Sequence, residues 1–226
     1  MKVIHNKAEK SAEIYLYEDI GAGWFGGVSS KEFSDELKSV GQVDTINLHL
    51  NSPGGSVFDG IAIYNLLVSN PAKVTVHIDG LAASIASIVA MAGDEIRMAE
   101  NALVMIHNPW TVAIGEEDDL RKEADTLGAV RGRIIRTYVS RTTSEEDQIS
   151  EWMNAETWMS ADEAKERGFA DQITEEMKQA ACIDCSRYKY RNAPNMQATA
   201  EAERPLYLAA RSRIAHMQSR LRRRKL

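Results

Sequence analysis

Apolar and polar residues alternate from Glu13 to Tyr17 and again from Thr45 to Leu50 (Thr-Ile-Asn-Leu-His-Leu). That two-residue period predicts half-buried strands. On the second strand His49 falls on the polar side, as a surface or inter-strand residue. Val57, Ile61, Leu66 and Leu67 then recur at helical spacing. Lys73 to Ile78 predicts a further strand, and the unbroken apolar run Ile85 to Met91 predicts a buried helix that ends near Gly93 and Asp94. Glu95 to Met98 and Leu103 to Ile106 read as short strands. The stretch Glu116 to Thr142 reads as one long helix with Leu120, Leu127, Val130, Ile134, Ile135 and Tyr138 on one face. A short helix follows over Ser144 to Met153. Ser29 with Glu32, and Ser160 with Glu163, are capping boxes that open two more helices, the first reaching about Val40 and the second closed by Gly168. Strand, turn and helix alternate through the body, which predicts an α/β fold with a largely parallel, right-handed wound core.

The pattern changes near residue 179. Residues 1–178 form the body, and 179–204 read as a linker, polar and aperiodic around Pro194. Residues 205–226 read as a basic amphipathic helix, started by Pro205 and striped by Leu206, Ala210, Ile214, Met217 and Leu221. Charge follows the same division. Residues 177–226 hold 12 Lys and Arg against 3 Asp and Glu, a net +9, whereas residues 1–176 hold 15 against 30, a net −15. An acidic body argues against nucleic acid as substrate, and the basic helix suits an acidic partner or the chain's own acidic body. No apolar run reaches the length of a membrane span and no signal-peptide block opens the chain, so a cytoplasmic setting is expected. Cys182 and Cys185 form a single Cys-x-x-Cys with His216 as the only downstream histidine. That is too few ligands for structural zinc, and reduced thiols are expected.

Three short stretches carry chemistry. Gly80-Leu-Ala-Ala-Ser84 joins a strand to the helix that begins at Ile85. A serine there is either a helix N-cap or an exposed nucleophile with a backbone N–H beside the attacked carbonyl. Asn51-Ser-Pro-Gly-Gly55 lies between a strand and a helix, where paired glycines let the backbone approach a ligand. His107 ends an apolar strand ahead of Asn108 and Pro109, and opposite an exposed serine it is a candidate general base.

Together these pieces resemble the ClpP-type serine peptidases, and more closely their bacteriophage relatives, the ClpP-related head maturation (prohead) proteases. The resemblance spans about Glu13 to Ile173. It rests on Asn51-Ser-Pro-Gly-Gly55, Gly80-Leu-Ala-Ala-Ser84, Val104-Met-Ile-His-Asn-Pro109, and Thr157-Trp-Met-Ser-Ala-x-Glu-Ala164 leading to Gly168-Phe-Ala-Asp171, in that order. It implies the repeated ββα superhelix shared by ClpP and crotonases, here with a C-terminal helical tail. It implies Ser84 as nucleophile, His107 as general base and Glu156 as third triad member where ClpP usually has Asp, with Asp162 and Asp171 as rivals. The Gly55 and Ile85 amides correspond to the oxyanion hole, and Gly54, Asn108 and Pro109 to substrate-binding positions. No metal or cofactor is called for. The implied activity is ATP-independent endopeptidase action through an acyl-enzyme, on capsid and scaffold proteins inside a procapsid in the bacterial host cytoplasm, by a homo-oligomeric ring.

Two departures argue against partnership with an unfolding ATPase and fit a protease acting inside a procapsid. Asn108-Pro-Trp-Thr-Val-Ala-Ile-Gly115 replaces the glycine-rich handle that ClpP uses to hold substrate and join rings, and no axial gate is recognisable at the N-terminus. The alternatives are a ClpP-like general peptidase with an ATPase partner, a crotonase-type acyl-CoA enzyme using carboxylates as acid and base, a non-catalytic assembly protein, and a Ser–Lys peptidase. For the last, Lys73 is the one lysine near the motifs.

Overall fold

The computed structural model describes residues 1–6, 8–22, 27–175, 188 and 190–194. Its elements run β1 (Lys2–Asn6), β2 (Ser11–Leu16), α1 (Ser30–Val40), β3 (Thr45–Ser52), α2 (Val57–Val68), β4 (Lys73–Ala83), α3 (Ile85–Ala90), β5 (Glu95–Ala99) and β6 (Leu103–Ile106). They continue as α4 (Glu117–Arg141), α5 (Glu146–Ala155), β7 (Thr157–Met159), α6 (Ala161–Glu166) and β8 (Gln172–Thr174). Both expected capping boxes form, with Ser29 and Ser160 accepting from the N3 amide and Glu32 and Glu163 reaching back.

One eight-stranded sheet runs β1-β2-β3-β4-β5-β8, with β6 on β4 and β7 on β6. Every pairing is parallel except β1–β2 and β6–β7. The sheet is thus α/β and largely parallel, as the alternation of elements predicts. Strand alternation also holds: along β3, Ile46, Leu48 and Leu50 are wholly buried while Thr45, Asn47 and His49 are half-buried. Burying each such side chain contributes roughly 1.5–3 kcal/mol.

Two elements differ from expectation. β4 does not stop at Ile78 but continues through Gly80 to Ala83. Glycine and alanine are poor strand formers, yet Leu81, Ala82 and Ala83 pair with Leu103, Val104 and Met105 of β6, and that tertiary pairing decides. The long helix buries only Val130, Ile134, Ile135 and Tyr138, while Leu120 is 45% exposed. Its apolar face is therefore covered only over the C-terminal half.

The length of β4 sets the site. Its first half pairs with β5 and its second half with β6. The carboxyl ends of β3, β4 and β6 consequently meet, with Ser52 beside Ala82 and Met105 beside Ala83. In α/β sheets, ligands bind at such carboxyl ends. The chain divides into two compact units, Met1–Asn192 and Ala193–Leu226. Residues 188 and 190–192, within the stretch read as linker, thus belong to the first unit. Tyr190 and Asn192 hydrogen-bond into it, which a polar composition does not reveal. Cys182, Cys185 and the tail helix expected over 205–226 lie outside the described residues. Among the described residues no helix is long and apolar enough to cross a membrane, and no His, Cys, Asp and Glu cluster is arranged to hold a metal.

Candidate active site

Ser84 follows the last residue of β4 and precedes α3. Its backbone is at φ 55° and ψ −127°, and its side chain makes no capping bond. The N-cap reading is therefore excluded by geometry. Instead, His107 Nε2 lies 2.8 Å from Ser84 Oγ. The amide of Ser84 donates to Met105 O at 2.9 Å, tying the turn to the strand that delivers the histidine. The Ser84 carbonyl accepts from the Ser87 amide at 3.0 Å and from Ser87 Oγ at 2.5 Å. Ser87 Oγ also meets the hydroxyl of fully buried Tyr138 at 2.7 Å, which anchors the turn to α4.

The glycine loop abuts this serine. Gly54 and Gly55 have φ of 96° and 142°, the region where side chains are strained. A Cβ on Gly54 would lie 2.8 Å from Ser84 Cβ and 3.2 Å from Ile85 N, and one on Gly55 only 2.1 Å from Ile20 O. The loop is pinned by Ile20 N donating to Gly54 O and Ser56 N to Ile20 O, both 2.8 Å. Ile85 opens α3, so its amide has no intrahelical acceptor.

Antiparallel register brings in the carboxylate. Ile106 pairs with Thr157, so the next step sets Glu156 opposite His107. Glu156 ends α5 in the left-handed region, φ 51° and ψ 72°, and is 4% exposed. Burial raises its pKa, but the amides of Asn192 and Arg191, the Trp158 indole and the charge of His107 outweigh that, and the carboxyl is held below its usual range. Burial pulls the His107 pKa down, as does Arg191, while Glu156 pushes it up; the net result is a lowered value. Among the described residues Glu156 and His107 share no hydrogen bond, and Glu156 Oε1 accepts instead from Asn192 N at 2.7 Å.

The rival carboxylates lie elsewhere. Asp171 accepts from Ile96 N at 2.7 Å and pairs with Arg141, and Asp162 is exposed in the first turn of α6. The side chain of Asn108 is taken up by Asn154 and Arg131, each at 2.9 Å, so any substrate contact there falls to its backbone. Sequence reasoning missed Ser87, Tyr138 and the Tyr190–Asn192 segment. The one available signal for the last was two tyrosines, Tyr188 and Tyr190, in an otherwise polar stretch.

A serine hydroxyl within hydrogen-bond reach of a histidine, beside two pinned backbone turns at the carboxyl ends of β3, β4 and β6, matches a known pattern. The family model for Clp protease covers residues 4–177. The chain belongs to the Clp protease family. It is 32% identical over 142 residues to the ATP-dependent Clp protease proteolytic subunit 1 of Salinibacter ruber, covering 62% of this chain and 61% of that protein. It is 36% identical over 131 residues to the ATP-dependent Clp protease proteolytic subunit of Pleurastrum terricola, covering 57% and 67%. The chain thus spans less than two thirds of the Salinibacter relative. Among solved structures, a point mutant of ClpP1 from Listeria monocytogenes aligns with TM-score 0.64 at 25% identity, over 73% of this chain and 91% of that one. The expected ClpP-like fold is therefore present. The closer likeness to phage head maturation proteases finds no support in these relatives, which are Clp proteolytic subunits.

Proposed function

We propose that this Clp-family chain is a serine endopeptidase that works as the proteolytic partner of an ATPase. The observation that carries the chemistry is the 2.8 Å approach of His107 Nε2 to a Ser84 Oγ that caps nothing. The names of the relatives support the ATPase partner. His107 takes the Ser84 proton as Oγ bonds to the peptide carbonyl carbon, and the Gly55 and Ile85 amides receive the oxyanion. The C–N bond breaks as His107 returns the proton to the leaving amine. Water, deprotonated by His107, then splits the acyl-enzyme, releasing the acid and restoring Ser84. Glu156 stabilises the imidazolium by charge. A ring of identical subunits fits the exposed Trp110, Val112 and Ile114, which offer an apolar edge to another copy.

A fluorophosphonate probe tests this reading. It should label Ser84, and Ser84→Ala should lose labelling and on the order of 10⁴-fold or more in peptide hydrolysis. Absence of labelling in the unaltered chain would favour the crotonase-type enzyme or the non-catalytic protein. The head-maturation reading keeps as support the +9 segment beside a −15 body and the altered stretch Asn108 to Gly115. A folded substrate degraded only with an ATPase and ATP supports the main reading. Cleavage of folded scaffold protein by this chain alone supports the other.

A further inference from the structure

Residues 190–192 make contacts that the hydrolytic steps do not use. The Tyr190 ring stands edge-on to His107 at 5.6 Å and to Trp158 at 5.5 Å, and Tyr188 stacks on it at 5.6 Å. Its hydroxyl donates to Pro53 O at 2.5 Å, in the loop whose next residues are Gly54 and Gly55. One residue on, the Arg191 and Asn192 amides turn to Glu156, the latter at 2.7 Å, and Arg191 Nε lies 3.8 Å from Glu156 Oε2. Asn192 Nδ2 also donates to Ala155 O at 2.7 Å. Three consecutive residues thus engage the glycine loop, the histidine and the carboxylate together.

We propose that residues 190–192 are an intramolecular latch on the Ser84 site, seated by Tyr190 between His107 and Trp158 and displaced by a peptide that brings an aromatic side chain to the same place. The inference rests on the reading of Ser84 and His107 as a hydrolytic pair. Two features make the docked state a resting one. The Glu156 carboxylate is directed to the latch amides, leaving His107 Nδ1 without an acceptor among the described residues. A carboxylate that accepts backbone N–H bonds is held strongly, because hydrogen bonds to a charged group exceed neutral ones. The Tyr190 ring meanwhile stands edge-on beside the imidazole, and in the proposed latch it holds the place of the incoming aromatic side chain. Aromatic rings of this size prefer such edge-on contacts and bury well against one another.

The test compares the full chain with Asn192→Pro, which deletes the amide donor, Tyr190→Ala, which deletes the ring, and Tyr190→Phe, which keeps the ring and deletes the hydroxyl that bonds Pro53 O. The readouts are the rate of fluorophosphonate labelling at Ser84 and hydrolysis of a short fluorogenic peptide. Asn192→Pro should react roughly tenfold faster or more, the scale of one lost hydrogen bond to a charged group. Tyr190→Ala should gain by a similar factor through its lost ring contacts and the lost bond to Pro53 O, with Tyr190→Phe between the unaltered chain and Tyr190→Ala. A synthetic peptide of residues 188–192 should slow the Tyr190→Ala, Asn192→Pro double variant and leave the unaltered chain unchanged. Equal labelling of all chains would leave the hydrolase reading standing and overturn the latch. Slower labelling of variants that remain folded would overturn it too, by showing that the segment supports catalysis. Labelling in none of them would overturn the hydrolase reading and the latch with it.

Discussion

Lys10, Ser84 and Glu156 are the non-glycine residues with positive φ among those described, and two of them face the same histidine. A side chain in that region costs of order 1–3 kcal/mol and persists only where the surroundings fix it. At Ser84 the Ser87 hydroxyl and amide fix the carbonyl, and Tyr138 fixes Ser87. The hydroxyl of Ser84 is thereby aimed at His107 rather than at the helix it precedes. His107 has its own departure, since burial lowers its pKa and Arg191 adds to that against the pull of Glu156. A general base works when neutral. A lowered pKa keeps His107 neutral to lower pH, so the acid limb of kcat/KM should have its midpoint below the ordinary histidine value of about 6.5. A pH profile of peptide hydrolysis checks this, and a midpoint above that value would contradict the electrostatics described.

At the scale of elements, the site is the junction of β3, β4 and β6, each handing over one functional turn. The turn after β3 depends on its glycines. Gly55→Ala would push a Cβ to 2.1 Å from Ile20 O and twist the amide assigned to the oxyanion. Loss of one such donor costs about 10²–10³ in kcat, and acylation of Ser84 by an ester substrate should fall by that much while circular dichroism stays native. These turns were legible in the sequence because each is local: Ser-Pro-Gly-Gly, Ala-Ala-Ser and His-Asn-Pro state their chemistry within a few residues. The continuation of β4 through Gly80 to Ala83 was not legible, because β6 imposes it from outside the segment. The place of Glu156 was legible only through family resemblance, since it depends on the β6–β7 register. Tyr190 and Asn192 carried no period at all, and it is their hydrogen bonds to Pro53, Glu156 and Ala155 and the ring contacts of Tyr190 that reveal that they belong to the body.

At the scale of the molecule, three strands are cross-linked by one imidazole away from the site. His49 of β3 meets Asp79 of β4 through Nδ1 at 2.7 Å and Glu13 of β2 through Nε2 at 3.1 Å. The inter-strand reading of His49 thus holds. Tyr15 and His77 stack on it at 4.5 and 4.7 Å, and Tyr17 donates to Asp79 at 2.5 Å. With an acceptor on each ring nitrogen, only the imidazolium satisfies both carboxylates. Burial lowers the His49 pKa, but bonds and charges from Asp79 and then Glu13 prevail, and the net shift is upward. A raised folded-state pKa gives stability that is full below the unfolded value near 6.5 and is lost as pH rises through the folded value. His77 acts in the opposite sense: burial and then the His49 charge lower its pKa, so its contribution is lost as pH falls below about 6.5. Replacing His49 removes its own contribution and, with it, the charge that helps to lower the His77 pKa. His49→Gln should lower the thermal midpoint clearly at pH 6 and much less at pH 9, where the unaltered imidazole has already given up one of its two N–H groups. Thermal unfolding of both chains at the two pH values measures that difference. A gap that stays constant, or widens toward pH 9, would show that the three strands are held by packing and backbone bonds alone.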